Sequence, residues 1–160
     1  MLLQSLISWL AFPVYVWQGI GVRLKTERML PAQGRVLHRI PGEGKPFNLL
    51  VIGDSSAASV GVGSTEDGLA ARLATLVSEH TGRPVEWRAA GFNSATAGQL
   101  RDFVVPNLAA EDWTHVVLAV GTNDMKNFHT AHRFKAEFGG LLYAVRAKWP
   151  EALVLWSPVI

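Results

Sequence analysis

The sequence contains no cysteine among its 160 residues. Disulfide bonds, thiolate catalysis and cysteine-ligated metal sites are therefore excluded. Charged residues are also scarce, at 18%, whereas hydrophobic residues make up 49%, and this balance excludes an intrinsically disordered chain. A chain of this length and composition can bury the core of one domain.

Positive charge is sparse in most of the chain and concentrates near its start. Residues 1–45 carry six Lys and Arg side chains and two Glu side chains, a net charge of +4, so the remaining residues sum to −2. A basic segment outside the folded body does not fit a nucleic-acid-binding domain, and it fits the surface of a phospholipid membrane.

A long uncharged run precedes most of this basic segment. Residues 2–22 hold no charged side chain, and as a helix they would extend roughly 31 Å, about one hydrocarbon core. Tyr15 and Trp17 are aromatic residues of the type that anchors at membrane interfaces, whereas Pro13 argues against a clean span. We expect residues 1–22 to be a membrane anchor or an interfacial helix, with a signal peptide or a docked core helix as alternatives. The positive flank favours a membrane-associated protein with a cytoplasmic main domain, and export is the alternative.

Residues 23–46 are basic and contain several Pro and Gly residues, which predicts a linker before a domain at 47–160. In that domain, short apolar runs alternate with amphipathic helical patterns that begin near residues 69, 96 and 134. Four strands are expected, at 48–52, 85–90, 115–120 and 152–156. This alternation predicts an α/β fold with a doubly wound, mostly parallel sheet, of the flavodoxin-like three-layer type.

Polar residues follow the first three predicted strands. The strands lead into Gly53-Asp54-Ser55, Gly91-Phe92-Asn93-Ser94 and Gly121-Thr122-Asn123-Asp124. Ligands of such sheets bind beyond the carboxyl ends of the strands, so we expect the three loops to line one crevice.

Two side chains of these loops have alternative interpretations. Ser55 could be a nucleophile at the turn that leads towards the next helix, where the helix terminus and loop amides stabilise negative charge nearby, or Asp54 or Ser55 could merely cap a turn. Asn123 could donate its amide to an oxyanion, or it could form an Asx-turn with Asp124 capping the next helix. The α/β-hydrolase elbow does not fit, because Ala57 occupies the position of its second glycine.

Gly53-Asp54-Ser55 and Gly121-Thr122-Asn123-Asp124, at this separation, resemble the SGNH (GDSL-type) family of esterases and lipases. The resemblance covers about residues 47–160. It implies that Ser55 is the nucleophile, that its backbone N–H contributes to the oxyanion hole, and that the Asn123 side chain is an oxyanion donor. The other residues of the two motifs would support them: Gly53, Asp54, Gly121 and Asp124.

The same resemblance implies a second backbone donor. The family's middle block corresponds to residues 89–96, which places the oxyanion glycine at Ser94. Because serine tolerates positive φ poorly, Gly91 is the alternative donor. The family's chemistry needs neither a metal nor an organic cofactor.

The family supplies the base from an Asp-x-x-His block after a fifth strand, and this sequence stops at Ile160 before such a block. Residues 112–115 spell the motif, but His115 would lie roughly 20 Å from Asn123, at the other edge of the sheet. His129 and His132 are expected on the surface near a helix start. We therefore expect a truncated sheet with an unpaired edge, part of a longer enzyme, and no activity from these 160 residues alone.

The leading functional hypothesis is a serine esterase acting on a lipid-like acyl ester such as a lysophospholipid. Two alternatives use the same fold: a non-catalytic, membrane-tethered binding module, and an acyltransferase with the same nucleophile. The expected partners are a small-molecule or lipid ester and a membrane surface, without nucleic acid.

Overall fold

The computed structural model describes residues 2–25, 27 and 29–157, with only the backbone described for residues 2–10 and 23. Met1, Thr26, Arg28 and residues 158–160 lie outside the described residues, and so do the predictions made for those positions.

One five-stranded sheet forms the centre of the molecule. Its strands lie in the order β1-β3-β2-β4-β5, and all neighbouring pairs are parallel except β1 with β3. The strands are β1 (Leu37–Ile40), β2 (Phe47–Gly53), β3 (Val85–Gly91), β4 (His115–Ala119) and β5 (Leu153–Ser157). The order of the four parallel strands is that of the flavodoxin-like fold. In this order, the chain adds strands to one side of β2 first and then to the other side, beginning with β4.

Helix α1 (Leu2–Lys25) precedes the sheet. The helices that connect the parallel strands are α2 (Leu69–Thr81), α3 (Ala97–Gln99), α4 (Thr122–Lys126) and α5 (Ala131–Lys148). A 3₁₀ turn at Thr65–Asp67 precedes α2, and α3 continues as a π turn (Leu100–Val104) and a 3₁₀ turn (Val105–Asn107). Helix α5 ends before Pro150, a residue that cannot continue it.

The sheet is buried on both faces, and β2 shows this most directly. Leu50 and Ile52 pack in a core cluster with Leu100 and Leu141, from the chain after β3 and from α5. Leu49 and Val51, which alternate with them along β2, pack in a second cluster with Ala74 of α2. Successive side chains of a strand point to opposite faces, so an uninterrupted apolar run requires cover on both sides. The doubly wound α/β fold and its four parallel strands are thereby confirmed.

Strand β1 was not expected. It lies in the segment interpreted as a linker, yet residues 37–40 pair antiparallel with residues 85–88 at one edge of the sheet. Its side chains are alternately exposed and half-buried. A strand of four residues without an apolar run gives little local signal, because its pairing with a distant strand stabilises it. At the other edge lies β5, with Leu153 and Leu155 about half exposed.

The uncharged N-terminal run is helical through Lys25, with Pro13 inside the helix. The side chains of Tyr15, Trp17 and Leu24 on α1 are 62%, 81% and 80% exposed. Among the residues that the structure describes, no helix has the length and apolarity needed to cross a membrane.

His115 opens β4, at the amino-terminal edge of the parallel strands, with its ring stacked on Phe47. Burial lowers the pKa of His115 below its ordinary value of 6.5, and the Arg83 guanidinium lowers it further. The unfolded chain therefore binds a proton at His115 at a higher pH than the native chain does. The contribution of His115 to the free energy of unfolding declines as the pH falls through 6.5 towards the pKa of His115 in the folded state.

The substitution His115→Gln should make the free energy of unfolding less dependent on pH between about 7.5 and 5.5, because it removes this proton uptake. Urea denaturation at both ends of that range measures the difference. His132→Gln is the control, since His132 is exposed, and its pH dependence should follow that of the wild type. Equal pH dependence of His115→Gln and the wild type would contradict the prediction.

Candidate active site

The three loops that follow β2, β3 and β4 meet at one side chain. The Nδ2 atom of Asn123 donates hydrogen bonds to Asp54 Oδ2 and to the Ala95 carbonyl oxygen, each at 3.1 Å. Asn123 is buried, and it lies in α4 directly after β4. The expected crevice at the carboxyl ends of the strands is therefore closed by hydrogen bonds between the loops. Both N–H groups of the amide are used in this arrangement.

Asp54 is buried, and it organises the turn after β2. Its Oδ1 accepts hydrogen bonds from the Ser56 backbone N–H at 3.0 Å and from the Ser56 hydroxyl at 2.8 Å. Its own N–H is donated to the Ala119 carbonyl of β4. The interpretation of Asp54 as a turn cap is confirmed, and the same carboxylate also holds Asn123.

Ser55 lies half-buried in this turn. Within the described part of the chain, its Oγ has no hydrogen-bond partner. The turn closes through hydrogen bonds from Ala58 N to Asp54 O and from Val60 N to Ser55 O. The next helix, α2, begins at Leu69, where the helical pattern was expected to begin. Ser55 therefore lies in a turn that precedes this helix.

Ser94 adopts the left-handed backbone conformation, with φ of +64°. This is a conformation that glycine adopts without strain, so the residue at the family's glycine position keeps glycine-like backbone geometry. A turn bond from Ala95 N to Phe92 O encloses it. Gly91, the alternative, is the last residue of β3 opposite Gly53, and a Cβ on it would collide with the Gly53 carbonyl.

Asp124 does not cap α4, so the alternative interpretation, in which it caps the next helix, does not hold. The N-cap of α4 is Gly121, at φ +133°, and it makes no side-chain capping bond. The Asp124 carboxylate instead accepts a hydrogen bond from the Ala97 N–H at 3.1 Å. Asp124 thus joins the end of β4 to the start of α3.

The expectation that His129 lies on the surface is also wrong, whereas His132 is exposed as expected. The His129 side chain is 8% exposed and lies between the carboxylates of Asp124 and Glu137. Potential ligand atoms of these three residues lie within 4.8 Å of one another. Glu137 was missed in the sequence, although a carboxylate within the apolar stripe of Phe134, Phe138 and Leu141 was a usable signal.

A cavity of about 610 Å³ opens beside α4 and the start of α5. Its wall is largely apolar and includes two of the site residues. The lining residues are Gly121, Asp124, Met125, Phe128, His129, Ala131, Phe134 and Trp156. A cavity of this size and character can hold an apolar group next to the loops.

Replacing Asp54 by Asn should lower the free energy of unfolding by about 1–3 kcal/mol, because an amide donor or a weaker acceptor would then face Asn123 and Ser56. Urea denaturation of variant and wild type measures the change. The matched control is Asp112→Asn, since the Asp112 side chain is exposed, and it should leave the unfolding midpoint nearly unchanged. Equal effects of the two substitutions would contradict the importance of the Asp54–Asn123 bond.

Comparisons with known proteins identify the family of this chain. The sequence model of the GDSL-like lipase/acylhydrolase family matches residues 51–160. No curated protein matches the sequence. The fold is similar to the crystal structure of TesA, with a TM-score of 0.59 and 25% identity over 70% of this chain and 60% of that one.

Two further solved structures show the same fold. AlinE4, described as an SGNH-hydrolase family esterase, has a TM-score of 0.60 and 20% identity over 71% of this chain and 59% of its own. The psychrotrophic esterase EstA from Pseudoalteromonas sp. has a TM-score of 0.56 and 18% identity over 69% and 58%. The chain thus spans about 60% of the length of these proteins. Since the family match covers more than half of its residues, the chain belongs to the GDSL-like lipase/acylhydrolase family.

Proposed function

We propose that this chain carries the nucleophile and the oxyanion site of a serine esterase. The observation that supports the proposal most strongly is the junction at Asn123, which joins the turn carrying Ser55 to the turn carrying Ser94. In the reaction, Ser55 Oγ attacks the carbonyl carbon of an ester and its proton passes to a base. The alcohol then leaves with a proton, and water hydrolyses the acyl-serine.

The proposed oxyanion donors are the backbone N–H groups of Ser55 and Ser94 and the side-chain amide of Asn123, with Gly91 as the alternative to Ser94. Gly53, Asp54, Gly121 and Asp124 support them. Backbone donors that the turns orient before the reaction stabilise the tetrahedral intermediate with little reorganisation, which is their main catalytic advantage over water. The Asn123 amide must first exchange one of its present acceptors for the oxyanion.

The proposed base is a histidine of the full-length protein. His115 is unsuitable, because it lies at the amino-terminal edge of the parallel strands whereas Ser55 follows their carboxyl end. An Asp-x-x-His block of the kind found in the family would supply both the base and the carboxylate that orients it.

The proposed substrate class is a lipid-like acyl ester presented at a membrane surface. The apolar cavity beside α4 and the start of α5 could hold an acyl chain. Exposed aromatic side chains on α1 and the basic segment after it are suited to a lipid interface, and the positive charge favours the cytoplasmic side.

In the full-length protein, Ser55→Ala should lower the hydrolysis of short-chain p-nitrophenyl esters by at least about 10³-fold, because the nucleophile is lost. Initial rates with both proteins at equal concentration measure the effect. Ser56→Ala is the matched control: it removes the adjacent, exposed hydroxyl but keeps the bond from the Ser56 N–H to Asp54, so it should retain most of the activity. Undiminished hydrolysis by Ser55→Ala would show that Ser55 is not the nucleophile.

Phosphonate labelling distinguishes the esterase from the binding module. Mass spectrometry should locate an alkylphosphonate adduct on Ser55 of the wild type and Ser56→Ala, and none on Ser55→Ala. A folded wild type that remains unlabelled would favour the non-catalytic module. Preferred transfer of the acyl group to an added alcohol would favour the acyltransferase.

The substitution Trp17→Ala should lower partitioning of the full-length protein into anionic phospholipid vesicles by about 10-fold, because it removes an aromatic anchor of the proposed interfacial helix. Co-sedimentation with phosphatidylcholine–phosphatidylglycerol vesicles measures the change. Tyr143→Ala is the control, since Tyr143 is an aromatic residue 78% exposed on α5, and it should partition like the wild type. Equal partitioning of all three proteins would contradict membrane docking through α1.

A further inference from the structure

A partly buried network of hydrogen bonds and charge contacts lies beside the proposed oxyanion site. The Nδ1 atom of His129 is 3.1 Å from Asp124 Oδ1 and 3.4 Å from Glu137 Oε2. The side chains of Asp124, His129 and Glu137 are 2%, 8% and 19% exposed, so water contributes little to their solvation. Because ionised carboxylates only accept hydrogen bonds, the Nδ1 atom between them carries the hydrogen.

The network continues to the loop that carries Ser94. The second oxygen of Asp124 accepts the Ala97 N–H at 3.1 Å, and the carboxyl group of Glu137 lies against Gly98, where an added Cβ would be 3.1 Å from Glu137 Cδ. Ala97 is two residues after Ala95, the carbonyl of which accepts from Asn123. The start of α3 is therefore held from the same side as the proposed oxyanion donors.

His129 stands between two acidic groups. Arg133 Nε donates to Glu137 Oε1 at 2.8 Å, but Glu137 Oε2 is buried and makes no hydrogen bond. Without the imidazole, Oε2 and Asp124 Oδ1 would face each other across a poorly solvated gap. Like charges repel strongly in such surroundings, so the carboxylates would separate and the Asp124–Ala97 bond would weaken.

We propose that His129 is a positioning residue: by holding the Asp124 carboxylate on the Ala97 N–H, it fixes the Ser94 turn relative to Asn123. The proposal rests on the proposed function, because it assigns to His129 an effect on hydrolysis at Ser55. His129 does not touch the ester. It acts through Asp124 and the start of α3.

The test compares two substitutions of similar size in the full-length protein. Asn places an amide N–H near the position of Nδ1 and can donate to both carboxylates, whereas Leu cannot donate. His129→Leu should lower kcat for a short-chain p-nitrophenyl ester by about 10- to 100-fold with little change in KM, because the oxyanion donors are displaced rather than removed. His129→Asn should restore kcat to within about threefold of the wild type. His132→Leu controls for loss of a nearby histidine.

Amide hydrogen exchange gives a second readout that does not depend on activity. Exchange at the Ala97 N–H, followed by NMR, should be faster in His129→Leu than in the wild type and should return to the wild-type rate in His129→Asn. A fall in kcat with faster Ala97 exchange, both reversed by Asn, supports the proposal.

Other outcomes overturn it. Unchanged kcat or unchanged Ala97 exchange in His129→Leu would show that His129 does not position the turn. Activity that is lost on treatment with EDTA and restored by Zn²⁺ would identify the three side chains as metal ligands instead. A wild type that hydrolyses no ester, while Ala97 exchange responds as expected, would refute the esterase and with it the catalytic part of this proposal, but would leave the structural link standing.

Discussion

The arrangement of the site depends on the two hydrogen bonds of the Asn123 amide. A primary amide offers two N–H groups in one plane, and here they are donated to Asp54 after β2 and to Ala95 after β3. Asn123 itself follows β4, so one side chain joins the ends of three adjacent strands. Because the amide is buried, loss of either acceptor would leave a donor without water, and this cost keeps the loops together.

This junction is possible because the parallel sheet brings the three strand ends into register. Gly53 pairs with Gly91 on one side and with Ala119 on the other, at the point where the strand order reverses direction. A side chain at Gly91 would collide with the Gly53 carbonyl. The backbones can therefore approach only if glycine stands there, and the loops that follow start close together.

The parts of this arrangement that arise from local patterns were predictable. Apolar runs identified all four parallel strands, and the polar residues after three of them indicated that their loops meet. Strand β1 was missed because its four residues are stabilised by pairing with β3. The burial of His129 was missed because it depends on two carboxylates from different helices, Asp124 of α4 and Glu137 of α5. Local sequence carries little information about such contacts.

The role proposed for Asn123 places a second demand on the same amide. To donate to an oxyanion, the amide must redirect one N–H from the acceptor that it now has. The Ala95 carbonyl is neutral, whereas Asp54 is a carboxylate, and hydrogen bonds to charged acceptors are the stronger ones. The bond to Ala95 is therefore the one expected to yield. The turn that carries Ser94 would then lose its hydrogen bond to Asn123 when the Ser94 N–H is needed to stabilise the oxyanion. The bond between Asp124 and Ala97 does not involve the amide, so it can hold the turn in place during that exchange.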